Sequence, residues 1–211
     1  MALSRLDEST SPHLIVHSKL RRARQTAEVA AENVDKKTSL KVYGEIPSLA
    51  EVDFGSLDGT EVKDFRKTIR QVSTSWSFGD IDTKTAGDGG ESGREVLSRA
   101  GQAIEALTTL ATETASSSIV AVSHSAYLRI LLSLVADSPL AETFLWSIQN
   151  GGVNVVDINI EGKRRLVTSE SGIFGGRLLS RFRENNRLEL DIPECRLIRK
   201  NEVRHLEGMN I

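Results

Sequence analysis

Short apolar runs alternate along this chain with apolar stripes of helical period. Ile119-Val120-Ala121-Val122 is a β-branched run that ends at Ser123-His124-Ser125; Leu128, Leu131, Leu132 and Val135 then recur at helical spacing. This predicts a buried strand, a tight turn and a helix meeting at His124. His13-Leu14-Ile15-Val16-His17 reads as another strand, with Ser18 as the N-cap of a helix whose stripe is Leu20, Ala23, Ala27, Ala30 and Val34. Ser39 to Ile46 is a further strand, stopped by Pro47. Thr60 is expected to cap a helix with Val62, Phe65, Ile69 and Val72 on its apolar side. Ser92-Gly93-Arg94-Glu95 is a capping box, and Val96, Ala100, Ala103, Leu107 and Leu110 mark the helix it opens. Pro139 starts a short helix to about Ile148, and Asn150-Gly151-Gly152 turns into the strand Val153 to Ile158.

Strands alternating with amphipathic helices predict an α/β fold, a three-layer α/β/α sandwich with a mostly parallel sheet. The chain shows no internal repeat and no linker between two cores, so residues 1–211 form one domain with its core at about 12–160. Beyond 160 the pattern weakens. Residues 161–211 read as a surface excursion, with Cys195 to Ile198 as a last edge strand and Arg177, Arg181, Arg183 and Arg187 on a solvated face or tail.

Several residues stand out chemically. His124 falls where a strand hands over to a helix, at the carboxyl edge of the sheet, where ligands of open α/β folds bind and where free N–H groups favour anions. A histidine merely capping a buried helix gives the same pattern. Arg22 follows its strand by one helical turn, so its guanidinium can curl back to the same edge as an anion clamp; Arg21 and Arg24 beside it read as a solvated face. His13 and His17 would sit about 13 Å apart on a strand, too far to share one metal ion, and read as partly exposed strand-end residues. Leu49 to Gly59 is a loop with a phenylalanine, Phe54, to pin it to the core, and Glu51 is its candidate acid. Residues 73 to 90, rich in Ser, Thr, Gly and Asp around Trp76 and Phe78, read as a loop able to cover the site.

Composition narrows the class. A net charge of -2 gives no reason to expect nucleic acid as a partner. The single cysteine, Cys195, rules out an internal disulfide framework and fits a reducing compartment. No apolar run approaches the ~20 residues of a membrane span, and the first residues carry no signal-peptide pattern, so a cytoplasmic protein with no membrane partner is expected.

Four motifs then combine in order. Ser18-Lys19-Leu20-Arg21-Arg22-Ala23-Arg24-Gln25-Thr26-Ala27 resembles a signature of the histidine phosphatase superfamily, which includes the phosphoglycerate mutases. Leu49-Ala50-Glu51 with Phe54-Gly55 and Gly59 is similar to that family's acid loop, Gly90-Glu91-Ser92 to the Gly-Glu-Ser of its phosphatase branches, and Val122-Ser123-His124 to its second-histidine motif. Asn150 to Val153 also matches the start of a late family strand, and Asn201 with His205-Leu206 the family's closing segment.

The resemblance implies a phosphoglycerate mutase-like fold and a phosphomonoester phosphatase that works through a phosphohistidine, with a small phosphorylated substrate and neither metal nor cofactor. It implies His124 and Glu51 as catalytic residues, Glu51 as proton donor to the leaving oxygen, and Arg22, Ser18, Glu91 and Ser125 as substrate-binding residues. The family's nucleophile is a histidine in an Arg-His-Gly motif at the end of a first strand. No such motif precedes Ser18, and the sole Arg-His pair, Arg204-His205, matches the closing segment instead. The expectation is therefore an N-terminally incomplete, inactive form. A slot for the missing strand is expected between the strand ending at Ser18 and the strand ending at His124, to be filled by the polar N-terminal residues or closed by direct pairing of the two strands, and the chain is expected to be marginally stable or aggregation-prone. The alternative is a non-catalytic binding or regulatory module.

Overall fold

The computed structural model describes residues 14–33, 40–78, 80–85, 89–138, 140, 143, 147–167 and 189–202. In chain order these form β1 (Leu14–His17), α1 (Arg21–Glu32), β2 (Lys41–Glu45), α2 (Val62–Ser77), α3 (Gly93–Glu113), β3 (Ile119–Val122), α4 (Ser125–Val135), β4 (Val153–Val167) and β5 (Glu189–Glu202), with 3-10 turns at Pro47–Leu49 and Gly55–Leu57. Among the described residues no helix is long and apolar enough to cross a membrane.

β2, β1 and β3 form a parallel sheet in that order. β1 lies in the middle and all four of its residues are buried, as a continuous apolar run on a two-sided parallel strand requires. Its side chains alternate between two cores. Ile15 packs with Ala27 of α1 on one face, while Leu14 and Val16 join residues of α3 and α4, including Val96, Ala100 and Tyr127, on the other. The expected α/β architecture with helices on both faces is what forms.

The slot expected between β1 and β3 is closed by direct pairing of the two strands, one of the two outcomes expected for it. The two strands pair directly, Leu14 with Ile119 through His17 with Val122, and the Ser18 N–H continues the ladder to the Val122 carbonyl at 3.1 Å. The argument for instability from two facing unpaired edges at that place falls with it. β4 and β5 form a separate antiparallel pair, which buries Ile192 and Cys195 against the α3 side of the core. Both strands are longer than the sequence pattern predicts: β4 runs past Ile158 to Val167, and β5 begins at Glu189.

Three local expectations are corrected. The N-cap of α1 is Leu20, and Ser18 instead accepts the Leu20 N–H on its hydroxyl at 3.3 Å. The N-cap of α2 is Glu61, while the Thr60 hydroxyl donates to the Leu57 carbonyl. α2 also continues through Ser73 to Ser77, so Trp76 is a buried helical residue rather than part of a loop. The capping box of α3 forms with both reciprocal bonds. The helix expected at 139–148 and the arginines at 177–187 fall largely or wholly outside the described residues, as do His13 and His205.

Candidate active site

Parallel pairing of β1 with β3 sets the site. With His17 opposite Val122, the residues that leave each strand emerge side by side, and Ser18 Oγ lies 2.6 Å from His124 Nε2. Ser18 and His124 are both buried. His17 is buried too, not half-exposed at a strand end, and its Nδ1 donates to the Ser18 carbonyl at 2.8 Å.

Arg22, in the first turn of α1, curls back as its spacing implied, and its Nε–H donates to His124 Nδ1 at 3.2 Å. A guanidinium only donates, so Nδ1 is the unprotonated nitrogen and the proton sits on Nε2, from where it is donated to Ser18 Oγ. Burial, reinforced by the positive charges of Arg22 and Arg99, pulls the His124 pKa down to about 4. The ring is therefore neutral near pH 7. Arg22 is exposed as a residue, and Nε is its one guanidinium nitrogen with a hydrogen bond among the described residues.

His124 is the N-cap of α4, in extended conformation. Ser125 and Ala126 follow as the first two helical residues, and their N–H groups have no partner among the described residues. The third, Tyr127, donates its N–H to Glu51 Oε1 at 2.9 Å, and the same oxygen accepts the Val52 N–H at 3.0 Å. A carboxylate is thus fixed at the positive end of α4, the helix that His124 caps.

The loop that carries Glu51 is tied down from several sides. The Ser123 hydroxyl donates to the Leu49 carbonyl at 2.7 Å. Arg99 of α3 donates to the carbonyls of Ser48, Ala50 and Glu51 at 3.0, 2.8 and 3.3 Å. The same guanidinium holds both oxygens of Glu91, and its cation lies 4.5 Å from the centre of the Tyr127 ring. Glu91 Oε2 also accepts the Asp53 N–H at 2.9 Å. Phe54 packs against the core, which anchors the far side of the loop.

Ser18, Arg22 and His124 are therefore brought into one hydrogen-bonded group, and Glu51 and Ser125 join it at the start of α4. Glu91 stands behind the Glu51 loop, its carboxylate engaged by Arg99 and a backbone N–H. Glu51 and Ser125 also line a cavity of about 410 Å³, whose wall includes Val52, Phe54, Val72 and Trp76. Sequence reasoning missed Arg99. Its signal was present: it sits three residues after Val96 and four before Ala103, on the edge of an apolar stripe where a charge needs a partner.

Chemically, the group offers a guanidinium, an imidazole N–H and two free helix N–H groups, with a carboxylate held at the same helix end. That set suits an oxyanion with a leaving group to be protonated.

Comparison with known proteins bears on the fold and the family. No curated protein matches the chain in sequence. Among solved structures, the chain is similar to a mycobacterial glucosyl-3-phosphoglycerate phosphatase in complex with inorganic phosphate (20% identity, 95% of this chain and 82% of that one, TM-score 0.61). It is also similar to an alpha-ribazole phosphatase from Shigella flexneri (22%, 74% and 73%, TM-score 0.51) and to a phosphoserine phosphatase variant from Entamoeba histolytica in complex with phosphoserine (19%, 69% and 68%, TM-score 0.53). At these identities the likeness is one of fold. The family model of the histidine phosphatase superfamily (branch 1) matches residues 2–170, most of the chain. The protein with this site at the meeting of β1, β3 and α4 belongs to the histidine phosphatase superfamily.

Proposed function

We propose that this chain belongs to a phosphomonoester phosphatase of the phosphohistidine type and supplies the phosphoryl-binding and proton-donating part of its site. One observation carries the reading: Ser18 and Arg22 are each hydrogen-bonded to His124 beside the free N–H groups of α4, and Glu51 is fixed at that same helix end. Arg22 and the Ser125 and Ala126 N–H groups would hold the phosphate oxygens, and His124 Nε2–H would turn from Ser18 to the transferring group. Glu51 Oε1 is committed to two N–H groups, so Oε2 is the oxygen that would give its proton to the leaving alkoxide.

In the reaction of this family a histidine attacks phosphorus, the P–N bond forms as the ester P–O bond breaks, and water then releases inorganic phosphate. That histidine belongs to an Arg-His-Gly motif, which this sequence does not contain. His124 is no substitute, because its Nε2 carries the proton and the lone pair of its Nδ1 accepts the Arg22 Nε–H. The chain by itself is therefore expected to bind phosphate without turnover.

The test pairs titration with catalysis. Inorganic phosphate or vanadate should bind weakly, and Arg22→Ala should lower that affinity about tenfold or more, in line with the loss of a charge-assisted bond. No binding at all, or unchanged binding in Arg22→Ala, defeats the reading. Hydrolysis of p-nitrophenyl phosphate by the purified chain would overturn the expectation of inactivity. An added N-terminal segment bearing Arg-His-Gly should produce phosphate release that disappears in Glu51→Gln; binding without release in that form would favour a non-catalytic module.

A further inference from the structure

The buried ring of His124 has one position left for a proton. Ser18 Oγ accepts the Leu20 N–H at 3.3 Å and lies 2.6 Å from His124 Nε2, where it serves as acceptor for the Nε2 proton. Nδ1 faces Arg22 Nε at 3.2 Å and carries the lone pair. Charged and titratable groups meet this ring from several elements. Arg22 of α1 and Arg99 of α3 act on it as cations, and so does the positive end of α4, which His124 caps. Glu51 is held at that helix end by the Val52 and Tyr127 N–H groups, and Glu91 is bound through both oxygens to Arg99. His17, beside Ser18, is turned to the Ser18 carbonyl, and burial keeps the Tyr127 hydroxyl protonated by raising its pKa. Arg99 is spent on Glu91 and on the carbonyls of Ser48, Ala50 and Glu51. Of the two guanidinium groups, Arg22 is therefore the one that can meet an anion.

We propose that the site binds a dianionic oxyanion together with a proton, and that His124 Nδ1 takes the proton up. The inference rests on the phosphatase reading above, with the anion at the start of α4. A dianion brings two negative charges against the one charge of Arg22. Its oxygens compete with Nδ1 for the Arg22 Nε–H, and a charged acceptor is the stronger one. Once that donor turns to the anion, the Nδ1 lone pair is left without a partner in a buried ring and faces negative charge. Uptake of one proton from solvent corrects both. Nδ1 becomes a second donor of the ring, and the imidazolium supplies the second positive charge. In the unliganded chain, burial and the two guanidinium groups hold the pKa of the ring at about 4. A dianion at hydrogen-bond distance acts in the opposite direction. The proton enters with the anion, and affinity rises as the pH falls.

The experiment uses sulfate, which stays a dianion over the working range and cannot carry the proton itself, with inorganic phosphate as reference. Calorimetric titration in two buffers of different ionisation enthalpy counts the protons taken up. At about pH 5.5 the count is expected to approach one per sulfate, and affinity should fall by up to about tenfold per pH unit from there toward neutrality. His124→Gln, which keeps a side-chain donor and acceptor, should bring the count to about zero and flatten the profile. Imidazole nitrogen NMR spectra of the unsubstituted protein decide the same point without a variant: His124 should show one protonated nitrogen when free and two in the sulfate complex. Sulfate bound with no proton taken up, or with His124 still singly protonated, overturns the assignment. So does an undiminished count in His124→Gln, which moves the proton to another group. Phosphate bound and sulfate refused at every pH means that the proton travels on the anion, and overturns it as well. If neither anion binds, the phosphate-site reading has failed and the inference with it; if both bind and sulfate affinity is independent of pH, only the coupling has.

Discussion

Arg99 grips Glu91 through two parallel bonds, Nε to Oε1 and Nη2 to Oε2, each 2.7 Å, with both side chains less than one fifth exposed. The pair makes no hydrogen bond to Ser18, Arg22 or His124 among the described residues, yet the remaining donors of that guanidinium hold the backbone of the Glu51 loop. Glu91 is thereby linked to the site through the residue that shapes it.

Arg99→Met is accordingly expected to cost about 3–5 kcal/mol, because it strands a mostly buried carboxylate and three carbonyls. The double substitution Arg99→Met with Glu91→Gln should recover part of that loss, since no charge is then left unpaired. Urea unfolding of the single and double variants measures both. A loss below about 1 kcal/mol in the single variant would mean that the pair is effectively solvated.

His124 makes stability depend on pH. Its pKa is about 4 in the folded chain against an ordinary 6.5, so between those values the unfolded state binds more protons. Stability from this residue is complete above pH 6.5 and is lost as the pH falls toward 4. Thermal unfolding from pH 4 to 8 should show this slope, and His124→Gln should reduce it over that window. Identical profiles for the two proteins would remove His124 as its source.

Ser92→Ala opens the N-terminus of α3. The hydroxyl accepts the Glu95 N–H at 3.2 Å, while the Ser92 N–H donates to Glu95 Oε2 at 2.7 Å. Losing the serine oxygen should cost about 1 kcal/mol. Ser92→Asp, which keeps an acceptor, should cost less; equal losses would mean that the hydroxyl is not what caps the helix.

The residues at strand–helix junctions were legible because chemistry and periodicity change there together: the β-branched run stops at Ser123 and the helical stripe begins at Leu128, which isolates His124. The end of α2 was not legible. Ser73, Thr74, Ser75 and Ser77 look like a loop, but in the helix the Ser73 and Thr74 hydroxyls bond back to the carbonyls of Ile69 and Arg70 at 2.6 and 2.8 Å, and burial of Trp76 outweighs the poor local propensity. The far half of β4 is similar. Its polar run from Asn159 to Arg165 shows no alternation, and it is held in strand form by backbone pairing with β5, which no local window contains. Whether the slot would be filled or closed was not legible for a related reason: strand pairing is a long-range property, and spacing along the chain does not report which strands meet.

Ser18 and His124 are 106 positions apart, and their contact exists only where β3 lies beside β1. During synthesis at about 5–20 residues per second, roughly 5–20 s separate the appearance of one from the other. Throughout that interval β1, with Ile15 and Val16 destined for full burial, has only β2 to pair with in its sheet and offers the nascent chain's surroundings an open apolar edge. The arrival of β3 closes that edge and completes the anion site in one step. A ribosome stall, or a cut between α3 and β3, would leave a fragment that carries Arg22 and Glu51 but has neither His124 nor the helix end on which they converge.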